Sequence, residues 1–105
     1  MPKYLIQASY TAEGAKGLLN EGATGRRKAI ERAVKSVGGK VEAIFWTFGE
    51  HDTILIMDLP DNTAATALSL AVASSGAVRI ATTPLITAQE VDAACKQAAQ
   101  YRPPG

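Results

Sequence analysis

The sequence predicts an α+β protein in which helices pack on one face of a four-stranded antiparallel sheet. The chain of 105 residues is long enough for one domain with one core, which we expect to span residues 1–105. Four segments are rich in alternating or β-branched residues, and helical patterns follow the first and the third of them. The resulting order, βαββαβ with an extra C-terminal helix, is that of the ferredoxin-like sandwich. Right-handed crossovers then give the strand order 4-1-3-2.

The first half of the chain supplies one strand and two helical segments. Residues 3–10 alternate in polarity, which predicts the first strand. Residues 11–24 suggest a short helix interrupted by glycines. Thr24 is expected to cap a clearer helix, and Gly38 with Gly39 to end it.

A hairpin and a second helical crossover are expected next. Residues 40–48 and 53–59 are rich in β-branched and aromatic residues, and Gly49 in the turn between them is free to take a positive φ. Asp61 or Asn62 then caps an alanine-rich helix that extends to about Ser74.

The last two elements are a strand and a helix. Residues 77–86 alternate as a fourth strand. Thr87 and Glu90 have the spacing of a capping box, which predicts a final helix to about Gln100. Cys95 stands among alanines on this helix, where we expect it to be buried.

Both faces of the predicted sheet are apolar, although the two main helices cover only one of them. On the second strand, Ile44, Trp46 and Phe48 alternate with Val41, Ala43 and Phe45. An uncovered apolar face exceeds what a soluble monomer usually exposes, so we expect a homo-oligomer, at least a dimer. The candidate interface residues are Ile44, Phe45, Trp46 and Phe48.

Composition excludes several classes of function. Eleven basic and ten acidic residues give a net charge of +1, which does not favour nucleic acid or membrane binding. One histidine, His51, and one cysteine are too few for a structural zinc site, and no glycine-rich phosphate loop occurs, so we expect no metal and no cofactor. No apolar run resembles a signal peptide or a membrane span, and a cytoplasmic protein is expected.

The predicted strand order brings the few chemically versatile residues to one end of the sheet. Tyr10, His51, Asp52 and Arg79 should be neighbours there, and His51 could act as an acid or base that Asp52 orients. Polar residues in a tight hairpin are more often turn formers. Tyr10, Trp46 and Arg79 could instead surround a bound ligand.

Several motifs in order resemble one known family over nearly the whole chain. They are residues 4–17 (YLIQASYTAEGAKG), 26–27 (RR), 38–43 (GGKVEA), 48–52 (FGEHD), 58–62 (DLPDN) and 76–83 (GAVRIATT). They closely resemble the GYD domain family of bacterial proteins. Its Gly-Tyr-Asp element corresponds to Gly49, His51 and Asp52 here, with histidine in place of tyrosine.

The resemblance implies a ferredoxin-like fold related to the dimeric α/β barrels, a superfamily that includes cofactor-independent isomerases and monooxygenases. Three functional interpretations remain open. The first is an oligomeric module that binds a small molecule or a protein without catalysis. The second is a cofactor-independent enzyme that uses His51 and Asp52, with Trp46 and Tyr10 shaping an apolar pocket. The third is a structural self-assembly protein.

Overall fold

The computed structural model describes residues 1–105, and its elements follow the predicted order. The strands are β1 (Lys3–Tyr10), β2 (Lys40–Trp46), β3 (Thr53–Asp58) and β4 (Val78–Leu85), and the helices are α1 (Ala12–Ser36), α2 (Asn62–Ser74) and α3 (Ala88–Cys95). The sheet has the order β2-β3-β1-β4, and each neighbouring pair is antiparallel. This is the predicted order 4-1-3-2 seen from the other edge, so the α+β class and the strand order are confirmed.

Helix α1 begins at a threonine cap and bends once. Thr11 Oγ1 accepts a hydrogen bond from the Gly14 N–H at 3.3 Å. The bend lies at Gly22, whose φ of 80° and ψ of 163° suit only glycine. The expected cap at Thr24 is therefore wrong, because the break between the two helical segments comes two residues earlier.

The core lies between the sheet and helices α1 and α2. Alternate residues of β1 and β3 face it, and each of the two helices contributes its apolar stripe. The buried members are Tyr4, Ile6, Val34, Ile44, Leu55, Met57, Leu59, Ala65 and Leu68. Both main helices thus cover the same face of the sheet, which we call the inner face.

A β-bulge in β2 changes which of its residues face the core. Val41 pairs with Met57 and shares its inward direction, whereas Ala43 pairs with Ile56 and faces outward, because the register shifts between Val41 and Ala43. The prediction that Val41 lies on the same face as Ala43 and Phe45 is therefore wrong. Alternation continues normally from Ala43 to Trp46, where the strand ends.

Strand β2 ends two residues earlier than the sequence predicts, and the positive φ of the turn falls on a different residue. Phe48 lies beyond the end of β2, and it takes the positive φ, at 51°, that was expected of Gly49. The turn is closed by the carbonyl oxygen of His51, which accepts hydrogen bonds from the Gly49 N–H at 3.0 Å and from the Thr47 hydroxyl.

Helix α3 stands apart from the core. The predicted capping box between Thr87 and Glu90 is present, but the helix ends at Cys95 and not near Gln100. Every residue of α3 is exposed, and the expected burial of Cys95 is wrong. None of the three helices combines the length and the apolar character that crossing a membrane would require.

Candidate functional site

A cavity of about 350 Å³, partly open to solvent, lies between the inner face and helices α1 and α2. Fourteen of its seventeen lining residues are hydrophobic. A volume of this size is at the lower end of the range found for small-molecule sites, about 300–1,000 Å³. It is also more than twice the roughly 150 Å³ of an apolar cavity that binds benzene.

The cavity has a polar end and an apolar end. The cavity-lining residues of the sheet extend from Tyr10, at the C-terminal end of β1, to Met57, which pairs with Tyr4 near the other end of that strand. Tyr10 and Thr53 are polar, whereas Leu55 and Met57 are not. Ser75, which follows the last residue of α2, also lines the polar end. Three residues later β4 begins at Val78, which pairs with Tyr10.

The Tyr10 hydroxyl is the best-defined polar group of the cavity. Its oxygen accepts a hydrogen bond from Trp46 Nε1 at 2.9 Å and another from Thr53 Oγ1 at 3.3 Å. An indole N–H can only donate, so the Tyr10 oxygen must be the acceptor in that pair. Thr53 is 2% exposed, and its hydroxyl needs such a partner.

Arg26 is the only charged residue that lines the cavity, and sequence reasoning did not single it out as a site residue. It lies on α1 four residues after the bend at Gly22. The signal in the sequence was its spacing: Ile30, Ala33 and Val34 follow it at i+4, i+7 and i+8, and all three line the cavity.

The three residues expected to bind a ligand are separated by the sheet. Tyr10 lines the cavity, and Trp46 supports it through the indole hydrogen bond. Arg79 lies between Val78 and Ile80, which both line the cavity, so it belongs to the opposite face and is exposed. The expected place of Arg79 in the ligand site is therefore not supported.

His51 and Asp52 do not form the expected acid–base pair. The Asp52 carboxylate accepts a hydrogen bond from the Tyr10 N–H at 2.8 Å, and the Asp52 N–H donates to the Ala8 carbonyl oxygen at 2.8 Å. These two hydrogen bonds hold the turn against the end of β1. The His51 side chain makes no hydrogen bond and does not line the cavity.

The four candidate interface residues also divide between the two faces. Ile44, at 8% exposure, belongs to the core, and Trp46 packs against the core from the same side. Phe45 is 67% exposed on the outward face of β2, and Phe48 is 64% exposed in the turn. No helix covers the outward face around Phe45, which also carries Leu5, Ala43, Ile54 and Ile56.

A second depression, of about 540 Å³, lies between α2 and the edge strand β4. It is a shallow groove open to solvent and lined by several polar groups. Two of these, the hydroxyls of Ser69 and Thr82, hydrogen bond to each other at 2.7 Å. The cavity between the sheet and the helices is less open than this groove, and it is the better candidate site because it would remove more of a ligand from water.

The fold and the cavity define a class: an α+β protein whose antiparallel sheet is covered by helices on one face, with an apolar cavity between the two layers. The family model of the GYD domain matches residues 4–95, which is most of the 105-residue chain. The chain belongs to the GYD domain family, as its motifs indicated. No curated protein and no solved structure gives a significant match.

Proposed function

We propose that this chain is a small-molecule-binding module whose site is the cavity between the sheet and the helices, and which works as a homo-oligomer, at least a dimer. The observation that supports binding is the cavity itself, which is lined mainly by apolar residues and has the volume of a small-molecule site. The element order and the strand order support placing the module in the ferredoxin-like fold.

The outward face of the sheet supports self-association. Its apolar residues include Phe45, which is 67% exposed, and the neighbouring Ile54 and Ile56 of β3. Such a patch is costly to leave in water, and a second copy of the same face would cover it.

A catalytic role receives less support than binding. A general base must reach its substrate, but His51 lies outside the cavity and Asp52 is held by the backbone of β1. A purely structural assembly role would explain the uncovered sheet face, but it would leave the cavity without a purpose.

Titration with octan-1-ol, an apolar probe that does not absorb where tryptophan does, tests the binding proposal. Trp46 is the only tryptophan, and its indole contacts the cavity wall through Tyr10, so its emission should report occupancy. We expect saturable binding that Ala33→Leu weakens at least about tenfold by filling the site. Ala67→Leu, at an exposed position outside the cavity, is the matched control.

The oligomer is tested separately by light scattering of the purified protein. Absence of saturable binding in the parent protein, or equal binding by Ala33→Leu and the parent, would contradict the cavity as a ligand site. A stable monomer of 11.0 kDa would contradict the homo-oligomer.

A further inference from the structure

We infer that the cavity selects an amphipathic monoanion: an apolar body that carries one terminal carboxylate, held by Arg26 and Tyr10. This inference rests on the proposed binding function and adds the chemical class of the ligand. Its basis is the distribution of charge and hydrogen-bond donors over the cavity wall.

The first step concerns the Tyr10 hydroxyl hydrogen. The Tyr10 oxygen already accepts from the Trp46 indole and from the Thr53 hydroxyl, so both contacts use its lone pairs. The protein supplies no acceptor for its hydrogen. Tyr10 is therefore arranged as a donor at the cavity wall, and the complementary ligand group is an acceptor.

The second step concerns the charge of that acceptor. Arg26 lines the cavity, and no aspartate, glutamate or histidine does. Its one ion pair is with Glu21, at 3.5 Å between Nη1 and Oε1, which is longer than the roughly 2.7–2.9 Å of a charge-assisted hydrogen bond. Most of the guanidinium donors remain uncommitted, and such a fork matches a carboxylate.

The third step is the position of these donors relative to the apolar wall. Tyr10 lies at the C-terminal end of β1, whereas α1 leads into Lys40, which lies with Asp58 at the Lys3 end of the sheet. Arg26 precedes the end of α1 by ten residues, so it lies toward the Tyr10 end of the cavity that both residues line. The far end is formed by Leu55, Met57 and Leu68, which offer no polar group. A ligand that matches this wall has one acidic head and one apolar tail.

Calorimetric titration with octanoate and with octan-1-ol compares two probes of the same chain length, of which one is anionic. We expect the parent protein to bind octanoate at least about tenfold more tightly than octan-1-ol. Arg26→Gln should remove this preference, because it should weaken octanoate binding at least about tenfold more than it weakens octan-1-ol binding. Raising the salt from about 50 mM to about 500 mM should weaken only octanoate binding, because salt screens the charge pair.

Two matched controls separate the site from general effects. Arg27→Gln removes a neighbouring arginine that does not line the cavity, and it should keep the preference. Tyr10→Phe should weaken octanoate several-fold, whereas Tyr101→Phe, at an exposed position, should not.

The possible results distinguish the carboxylate inference from the binding proposal. Equal affinity for the two probes, or an equal loss in Arg26→Gln and Arg27→Gln, overturns the carboxylate inference while the binding proposal stands. Failure of both probes to bind overturns the binding proposal itself. A preference for octanoate that only Arg26→Gln removes supports both.

Discussion

The Trp46 side chain on β2 donates its indole N–H to the Tyr10 hydroxyl on β1, at 2.9 Å, although β3 lies between these two strands. The bond passes over Thr53 of β3, which pairs with Trp46 on one side and with Ala8 on the other. Thr53 donates to the same hydroxyl. Three strands are thereby joined by side chains at the polar end of the cavity.

Tyr10→Phe tests this three-strand link. It leaves the Trp46 indole and the nearly buried Thr53 hydroxyl without their acceptor, so we expect the free energy of unfolding to fall by about 1–3 kcal/mol. Urea unfolding followed by Trp46 emission measures the loss. Tyr101→Phe is the control, and an equal effect in both variants would contradict the role of the Tyr10 hydroxyl.

Substitution by a charged residue should have different effects on the two faces of β2. Phe45→Glu places a carboxylate on the exposed outward face, and we expect the fold to remain while the oligomer dissociates. Trp46→Glu places it against the core, where an unpaired charge should unfold the chain. Circular dichroism and light scattering distinguish the two results, and a folded oligomer of Phe45→Glu would argue against this interface.

The neighbours His51 and Asp52 should respond differently to substitution. His51→Tyr replaces a turn side chain that makes no hydrogen bond, and we expect a change below about 0.5 kcal/mol. Asp52→Ala removes the acceptor of the Tyr10 N–H, and we expect a loss of about 1–2 kcal/mol, partly restored in Asp52→Asn. Thermal unfolding gives both values. An activity lost in His51→Tyr with the fold intact would favour the enzymatic interpretation.

Two glycines of α1 should show opposite effects when replaced by alanine. At Gly17 the helix is regular and an added Cβ meets nothing, so Gly17→Ala should stabilise the protein by about 0.5–1 kcal/mol. At Gly22 the φ of 80° would strain an alanine, so Gly22→Ala should cost about 1–3 kcal/mol. Chemical unfolding of both variants provides the test, and equal signs would contradict the bend.

Alkaline pH should weaken the ion pairs of Lys3, which lie at the end of the sheet opposite to Tyr10. The Lys3 ammonium donates to Asp58 at 2.8 Å and to Glu42 at 2.9 Å, and these hydrogen bonds raise the pKa of Lys3 above 10.5. A pKa raised by folding stabilises the folded state below pH 10.5, and this contribution disappears as the pH rises through the folded-state value.

The free energy of unfolding of the parent protein should therefore fall above pH 10.5, and Lys3→Gln should reduce this dependence. Lys40→Gln is the control, because Lys40 is exposed and forms no ion pair. The effect should shrink in high salt, since both partners are accessible to solvent. If the free energy of unfolding depends on alkaline pH in the same way in both variants, the contribution of the Lys3 ion pairs is contradicted.

The order of the elements could be predicted because each depends on local signals. The Thr87–Glu90 capping box and the Asp61 cap lie where the sequence placed them. The helix start expected at Thr24 lies two residues after the observed break at Gly22, since threonine is a common cap and only the backbone shows which residue takes the positive φ.

The site was only partly predictable, because its residues come together through tertiary contacts. Tyr10 was recognised from its place at the end of β1, but the bulge after Val41 changes which face of β2 its residues occupy, and no alternation pattern reveals a bulge. Arg26 is followed directly by Arg27 and Lys28, and composition alone does not distinguish the three. Only the packing of α1 on the sheet shows that Arg26, and not Arg79, lines the cavity.

The two hydrogen bonds between Asp52 and the β1 backbone affect what can be inferred about one family member from another. Asp52, which resembles the aspartate of the Gly-Tyr-Asp element, fixes the geometry of a hairpin here, so its presence in a relative is evidence for the same hairpin and says nothing about a reaction. Relatives could diverge in the molecules they recognise while they keep this element. If Arg26 holds an acidic head as proposed, the equivalent position is the one to compare before a ligand found for one member is assigned to another.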